Sequence, residues 1–183
     1  MSESVLITGI TGFVGQYLTS YLHTHSDLQQ TGVSRRKKLK DKLVTYPELF
    51  AQNKSYRSYV HLAGKAHDTD YSTSRETFFE ANFYLTKRLY DHFLSDSKAK
   101  DFIYISSIAA VDSSSNSPID EEITPEPNGF YGESKREAEK YLLDNLPDED
   151  HKKVIILRPP MIHGPGNKGN LNLLHSIISK GIP

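Results

Sequence analysis

The feature that most constrains the fold of this 183-residue chain is a glycine-rich turn near its N-terminus. An apolar run at residues 4–8 predicts a β-strand, and a glycine then recurs at every third position while a helical pattern begins. A strand, a glycine turn and a helix in this order are typical of a dinucleotide-binding motif. The candidate cofactor-binding residues of this turn are Gly9, Gly12, Phe13, Val14 and Gly15.

Each glycine of the turn meets a different steric need. Gly9 permits the tight turn, Gly12 lets backbone N–H groups approach a pyrophosphate, and Gly15 allows the helix to pack closely on the strand. The spacing is Gly-x-x-Gly-x-x-Gly and not the commoner Gly-x-Gly-x-x-Gly, so an ordinary strand-to-helix turn is the alternative.

Further along the chain, short β-branched runs alternate with longer helical patterns, the order expected of βαβ units around a parallel sheet. The predicted strands cover residues 4–8, 31–34, 42–46, 58–62, 102–106 and 154–157. Apolar residues at helical spacing mark three helices, with a fourth predicted at 171–180. The marking residues are Val14, Leu18, Tyr21 and Leu22, then Phe78, Leu85, Leu89 and Phe93, then Ala138, Tyr141 and Leu142 in a helix that begins near Tyr131. We predict an α/β fold with a Rossmann-type doubly wound parallel sheet, in which residues 1–183 form one dinucleotide-binding domain.

Composition excludes several classes of protein. The chain has 22 basic and 23 acidic residues and a formal net charge of −1, so it has no bulk attraction to nucleic acid or to an anionic membrane. The absence of cysteine excludes disulfides, thiolate metal sites and a cysteine nucleophile. No carboxylate cluster accompanies His23, His25 or His61, so no metal site is expected. The first apolar run is too short for a signal peptide or a membrane span, and we place the chain in the cytoplasm.

The end of the second predicted strand bears on the choice of cofactor. An acidic residue at this position hydrogen-bonds the adenosine ribose of NAD, whereas this chain has Ser34 and Arg35. A hydroxyl and a guanidinium suit a 2′-phosphate better than a free 2′-hydroxyl. We therefore expect NADP, with NAD as the alternative. We interpret the remaining basic run at 36–42 as a solvated loop and not a nucleic-acid patch, because no aromatic residue interleaves with its charges.

A second constellation combines Tyr131 and Lys135 at the start of a predicted helix with Ser106 and Ser107 at the end of a predicted strand. Residues four apart lie on the same helix face, so the ammonium can lie near the phenol. A neighbouring cation favours the phenolate form of a tyrosine and so suits it as a general acid or base, and a serine hydroxyl nearby can share the proton. Asn82 interrupts an apolar helix face, and we interpret it as a tie between helix and loop that orders the site.

Together these motifs resemble the extended short-chain dehydrogenase/reductases, the NAD(P)-dependent epimerases and dehydratases of nucleotide sugars. The resemblance covers nearly the whole chain and rests on five segments besides the glycine turn. These segments are His61-Leu-Ala-Gly64, Asn82, Tyr104-Ile-Ser-Ser107, Tyr131-Gly-Glu-Ser-Lys135 and Leu157-Arg-Pro-Pro-Met-Ile-His-Gly-Pro-Gly166.

The resemblance implies a role for each site residue. Ser107 takes the position of the family's catalytic serine or threonine, and Tyr131 takes that of the acid/base. Lys135 takes the position of the residue that binds the nicotinamide ribose and lowers the pKa of the tyrosine. The residues expected to line the cofactor beyond the glycine turn are Leu62, Ala63, Gly64 and, near the nicotinamide carboxamide, Pro160.

The resemblance also implies a function, a nucleotide-sugar epimerase that uses a bound nicotinamide cofactor for transient oxidation at the sugar C4. One alternative is an NADPH-dependent 4-ketoreductase of a nucleotide sugar, which Arg35 favours. Another is a non-catalytic NADP-binding regulator, against which the intact set of Ser107, Tyr131 and Lys135 argues.

Two further expectations concern partners and length. The substrate is expected to be a UDP-linked sugar, and the full-length protein is expected to form a homodimer. Members of the family run well past 183 residues, so we expect this chain to be C-terminally truncated and to lack the substrate-binding part. Alone, it is expected to bind the dinucleotide with little or no turnover.

Overall fold

The computed structural model describes residues 3–36, 43–66, 74–111, 119–120, 123–148, 151–166 and 178–179. Six parallel strands form one sheet in the order β3-β2-β1-β4-β5-β6. The strands are β1 (Ser4–Thr8), β2 (Gln29–Ser34), β3 (Leu43–Thr45), β4 (Ser58–His61), β5 (Asp101–Ile105) and β6 (Lys153–Leu157). All six predicted strands are therefore confirmed; β1 has the predicted bounds, and each of the other five differs by one or two residues at one or both ends.

Helices cover both faces of this sheet, as the sequence predicts for a doubly wound fold. They are α1 (Phe13–His25), α2 (Tyr46–Ala51), α3 (Arg75–Phe79), a π-helical turn (Glu80–Tyr84), α4 (Leu85–Ser95), a 3₁₀ turn (Ile108–Ala110) and α5 (Gly129–Asp144). The predicted helix at 171–180 falls outside the described residues except for 178–179. Among the described residues, no helix is long and apolar enough to cross a membrane.

Two apolar clusters hold the layers together. On one face, Val5, Ile7 and Val60 are buried beneath Leu18 and Leu22 of α1. On the other face, α2, α4 and α5 pack against a larger set of buried side chains, which includes Leu49, Tyr59, Leu89, Phe93, Phe102, Ala138 and Leu142. Each fully buried leucine or phenylalanine contributes about 1.5–3 kcal/mol of transfer free energy. At the centre of the sheet, between the two clusters, β1 carries a continuous buried apolar run of Val5, Leu6 and Ile7.

Two sequence-based expectations need correction. The strand predicted at 42–46 ends at Thr45, because Thr45 caps α2: its hydroxyl accepts from the Glu48 amide at 3.4 Å while the Glu48 carboxylate accepts from the Thr45 amide at 2.8 Å. Tyr46 is thus the first residue of a helix. Tyr21 shares the apolar spacing of α1 but is 60% exposed and stacks on His25. The residues of α1 that pack against the sheet are Leu18 and Leu22, four positions apart.

Candidate active site

The site lies at the carboxyl ends of β1 and β4, where the strand order reverses. Thr8 at the end of β1 pairs with His61 at the end of β4, while α1 and α4 leave toward opposite faces of the sheet. This divergence opens a crevice between the two connections, which is where open α/β sheets bind ligands. The glycine turn forms one side of the crevice, and residues 62–64 form the other.

Backbone geometry explains why the turn needs glycine at two positions. Gly9 has φ +69°, and a Cβ added there would lie 2.7 Å from the Ala63 nitrogen. A Cβ added at Gly15 would lie 2.7 Å from the Ile10 Cα, so a larger residue would push α1 off the strand. Gly12 caps α1 without a side chain, and the first turn of α1 contains no acidic residue. The positive end of the helix is therefore open to an anion.

Ser34, the last residue of β2, and Arg35, which follows it, lie beside this turn, as their position at the end of the strand predicts. Val33 pairs with Thr8, so Ser34 lies next to Gly9 across the sheet edge. Ser34 is half-buried and its hydroxyl accepts from the Arg36 amide at 3.4 Å, while Arg35 is exposed. The described residues that follow β2 directly carry no carboxylate.

Tyr131 and Ser107 meet near the other side of the crevice. Ser107 follows β5 and is 8% exposed, and Tyr131 lies in the first turn of α5 with its ring centroid 6.3 Å from that of Phe78. Burial raises the pKa of the Tyr131 phenol above its ordinary 10.0, and a hydrogen bond with Ser107 opposes this rise. The two groups are therefore placed to share a proton.

Lys135 lies one turn further along α5 and is almost fully buried. Its Nζ donates to the Ile105 carbonyl at 2.8 Å and lies 4.7 Å from the centre of the Tyr104 ring. Burial lowers the pKa of this amine from 10.5 to about 8, although the Glu139 carboxylate acts in the opposite direction. The expected lowering of the pKa of Tyr131 by Lys135 is not found in this structure: burial raises that pKa, and the group that opposes the rise is Ser107.

Asn82 is the tie between helix and loop that the sequence suggests. Its Oδ1 accepts from the Lys65 amide at 2.7 Å, and its Nδ2 donates to the Lys65 carbonyl at 3.0 Å and to the Ser134 hydroxyl at 2.9 Å. Asn82 lies in the π-helical turn, whose wider backbone locally changes which side chains face inward. One buried amide thus links the loop after β4 to the helix that carries Tyr131.

A buried ion pair that the sequence does not reveal supports the same region. Glu139 is inaccessible to solvent and accepts from Arg158 through both carboxylate oxygens, at 2.9 Å each. Arg158 directly follows β6, and the next carbonyl, of Pro159, accepts from the Ile108 amide at 3.2 Å. Pro160 is therefore held beside the segment that follows Ser107, at the expected edge of the sheet.

The described part of the chain contains no group of three or more histidine, aspartate and glutamate side chains placed to hold a metal ion. His61 instead lies fully buried between Thr8 and Thr86. It is a polar residue that directly follows the buried Tyr59 and Val60 at the end of β4, and that position is the signal by which sequence reasoning could have assigned it a role.

Residues 5–182 match the model of the NAD dependent epimerase/dehydratase family. The chain belongs to this family. Two curated relatives extend the match: UDP-glucose 4-epimerase of Vibrio cholerae, 34% identical over 195 residues, and GDP-6-deoxy-D-mannose reductase of Pseudomonas aeruginosa, 29% identical over 174 residues. This family member spans about 59% of the first relative and 55% of the second, while those alignments cover 100% and 92% of its own length.

The solved structures agree on the fold. The crystal structure of the human epimerase family protein SDR39U1 with NADPH superposes with a TM-score of 0.80 at 21% identity, over 98% of this chain and 60% of the human one. At this identity the likeness establishes a common Rossmann-type architecture for this epimerase/dehydratase family member.

Proposed function

We propose that these 183 residues are the dinucleotide-binding domain of a nucleotide-sugar epimerase that oxidises its substrate transiently at the sugar C4. One observation carries the proposal: Ser107, Tyr131 and Lys135 converge at the edge of the sheet that also carries the glycine turn. Family membership and the relationship to UDP-glucose 4-epimerase support it. By the same reasoning we propose that the substrate is a UDP-linked sugar. Further contacts with the sugar would come from the part of the family's length that these 183 residues do not span. We also propose that the full-length protein is a homodimer.

The residues of the crevice fit a nicotinamide dinucleotide. Side chains are absent at Gly9 and Gly15 where a Cβ would collide with backbone, and the N-terminus of α1 presents amides without a competing carboxylate. Phe13 and Val14 of this first turn, with Gly12, hold the pyrophosphate. The remaining contacts come from the opposite side of the crevice, through Leu62, Ala63, Gly64 and Pro160.

The proposed chemistry is a proton transfer by Tyr131. The phenolate takes the proton of the C4 hydroxyl as the C4–H bond breaks, and the phenol returns it when the ketone is reduced. A nicotinamide ring held near Lys135 and Pro160 would supply the redox chemistry, since it could accept the hydride from C4 and return it to the opposite face of the ketone. Ser107 holds the hydroxyl that is oxidised and shares its proton with Tyr131.

Lys135 binds the nicotinamide ribose and supplies positive charge to this proton transfer. With a pKa of about 8, the amine is mostly protonated at neutral pH. A Cβ added at Gly64 would lie 3.4 Å from the Nζ, so the amine lies against the loop that lines the crevice. Burial raises the pKa of Tyr131 in this structure, so we propose that the Lys135 charge stabilises the phenolate only in the complex with cofactor and substrate.

We further propose that the cofactor is NADP. Ser34 and Arg35 occupy the position beside the glycine turn where the adenosine ribose is recognised, and a guanidinium there is suited to a 2′-phosphate. The same feature, with the relationship to GDP-6-deoxy-D-mannose reductase, favours an NADPH-dependent 4-ketoreductase as the second candidate function.

Interconversion of UDP-glucose and UDP-galactose by the full-length protein, followed by proton NMR of the anomeric signals, tests the proposal. Tyr131→Phe should lower kcat by about 100-fold with cofactor affinity nearly unchanged, the range that general acid–base catalysis supplies. Tyr84→Phe, at a 47% exposed tyrosine, is the matched control and should retain activity. Activity retained in Tyr131→Phe contradicts the assignment, and stoichiometric consumption of NADPH with a 4-keto sugar supports the reductase.

A further inference from the structure

A chain of buried hydrogen bonds crosses the molecule beneath the crevice. The Ala63 amide donates to the Thr8 hydroxyl at 3.2 Å, and that hydroxyl lies 2.6 Å from the Nδ1 of His61. The Nε2 of His61 lies 2.9 Å from the Thr86 hydroxyl, which donates to the Asn82 carbonyl at 2.6 Å. Thr8, His61, Thr86 and Asn82 all have 0% exposure, so water does not substitute for any of these partners.

The Ala63 amide at one end of this series of hydrogen bonds and the Asn82 carbonyl at the other fix the direction of every bond between them. A carbonyl only accepts and a backbone amide only donates. Because Thr86 uses its single proton on the Asn82 carbonyl, it accepts from His61, and the Nε2 must carry a hydrogen. A neutral imidazole then accepts at Nδ1, so Thr8 donates there and in turn accepts from the Ala63 amide.

Burial keeps the imidazole neutral, which this direction requires. Complete burial lowers the pKa of His61 from 6.5 to about 3, and the positive charge of Lys135 acts in the same direction. A protonated ring would carry hydrogens on both nitrogens, and the Thr8 hydroxyl would then have to reverse. All the hydrogen bonds of this series can form together only when the His61 ring is neutral and its hydrogen is on Nε2.

The bonds join three parts of the proposed cofactor site. Thr8 directly precedes Gly9, whose missing Cβ leaves room for the Ala63 nitrogen. The Asn82 side chain hydrogen-bonds both the amide and the carbonyl of Lys65, and the Asn82 backbone carbonyl accepts from the Thr86 hydroxyl. The glycine turn, the loop at 62–65 and the helical segment at 75–95 are therefore connected through a single imidazole.

We propose that His61 is a positioning residue, held as the neutral Nε2–H tautomer, which fixes the Ala63 amide on Thr8 and so sets the loop at 62–64 in its cofactor-binding conformation. This inference rests on the proposed function for the identity of the ligand. The direction of the hydrogen bonds does not, since it follows from the protein atoms alone.

Thr86→Val tests the proposal because Thr86 lies beneath the crevice, outside the residues that we assign to the cofactor, and valine keeps its shape. ¹⁵N NMR of the imidazole should report Nε2–H in the wild type and a loss of that preference in Thr86→Val. NADPH affinity should fall about fivefold or more, the equivalent of one lost hydrogen bond. Thr86→Ser should restore both. Thr24→Val, which removes the same kind of hydroxyl-to-carbonyl bond on exposed α1, should change neither.

Three results overturn the inference: an Nδ1–H or cationic His61 in the wild type at pH 7, unchanged NADPH affinity in Thr86→Val, or a serine variant that fails to restore affinity. Failure of the proposed dinucleotide site gives a different result, because the wild type then binds no NADPH while the tautomer of His61 still reports the direction of the hydrogen bonds.

Discussion

Replacing Lys135 by methionine should stabilise the fold at neutral pH while removing a group that we assign to the active site. Burial lowers the pKa of the amine from 10.5 to about 8, and a shift of that size corresponds to roughly 3 kcal/mol of unfavourable free energy for the charged form. Methionine retains most of the buried alkyl chain but loses the hydrogen bond to the Ile105 carbonyl, which costs about 1 kcal/mol. The net stabilisation at pH 7 is about 2 kcal/mol by these two contributions.

The pH dependence has a defined sign. Between pH 8 and 10.5 the unfolded chain binds a proton at this lysine that the folded chain has released, so the free energy of unfolding rises with pH across that window. Below pH 8 both states are charged and the burial cost is fully present. The advantage of Lys135→Met should therefore shrink by about 1.4 kcal/mol per pH unit above pH 8 and reverse between about pH 9 and pH 10, because the neutral amine of the wild type still donates its hydrogen bond.

Urea denaturation followed by circular dichroism, at unit intervals from pH 7 to pH 10, measures this difference. Lys140→Met on the same helix is the matched control, because that lysine is exposed, and it should change the free energy of unfolding little at any pH. A Lys135→Met variant that is less stable than the wild type at pH 7, or a difference independent of pH, would refute the reasoning.

Three other predictions follow from the contacts described above. Asn82→Ala should lower the free energy of unfolding by about 3 kcal/mol in urea denaturation, since three hydrogen bonds are lost, whereas Asn145→Ala, which loses one exposed bond, should cost under about 1 kcal/mol. Arg35→Ala should weaken NADPH about tenfold in fluorescence titration and leave NADH unchanged; an equal effect on both would remove the case for a 2′-phosphate site. The free energy of unfolding should fall as the pH drops from 6.5 toward 3, because only the unfolded chain protonates His61, and His61→Gln should flatten that part of the profile.

The sequence predicts the fold well because its signals are local and repeated. Strands β1, β5 and β6 contain runs of apolar residues, and the turn from Gly9 to Gly15 has little freedom once a strand precedes it and a helix follows. Ala138 and Leu142 are fully buried as their helical spacing predicts. The tie made by Asn82 is also predictable, because an amide on an apolar helix face needs partners.

What the sequence does not predict depends on contacts between distant residues. The pairing of Glu139 with Arg158 joins a helix to the end of a strand, and nothing in the sequence distinguishes Glu139 as the partner from the nearby Glu133 and Glu137. The rise in the pKa of Tyr131 has a similar origin, because it comes from burial, which depends on the whole packed structure, and not from the helical spacing that places Lys135 on the same face. The role of His61 likewise needs the positions of Thr8 and Thr86 in space.

Calorimetric titration of the chain with NADPH tests the central claim, that the crevice between β1 and β4 binds a nicotinamide dinucleotide. The account predicts one-to-one binding by the wild type and similar affinity in Tyr131→Phe. Gly12→Ala should bind at least about tenfold more weakly, because a Cβ 3.1 Å from the Gly9 carbonyl oxygen crowds the turn where backbone amides meet the pyrophosphate. Absence of binding by the folded wild type, or equal affinity in folded Gly12→Ala, would contradict it.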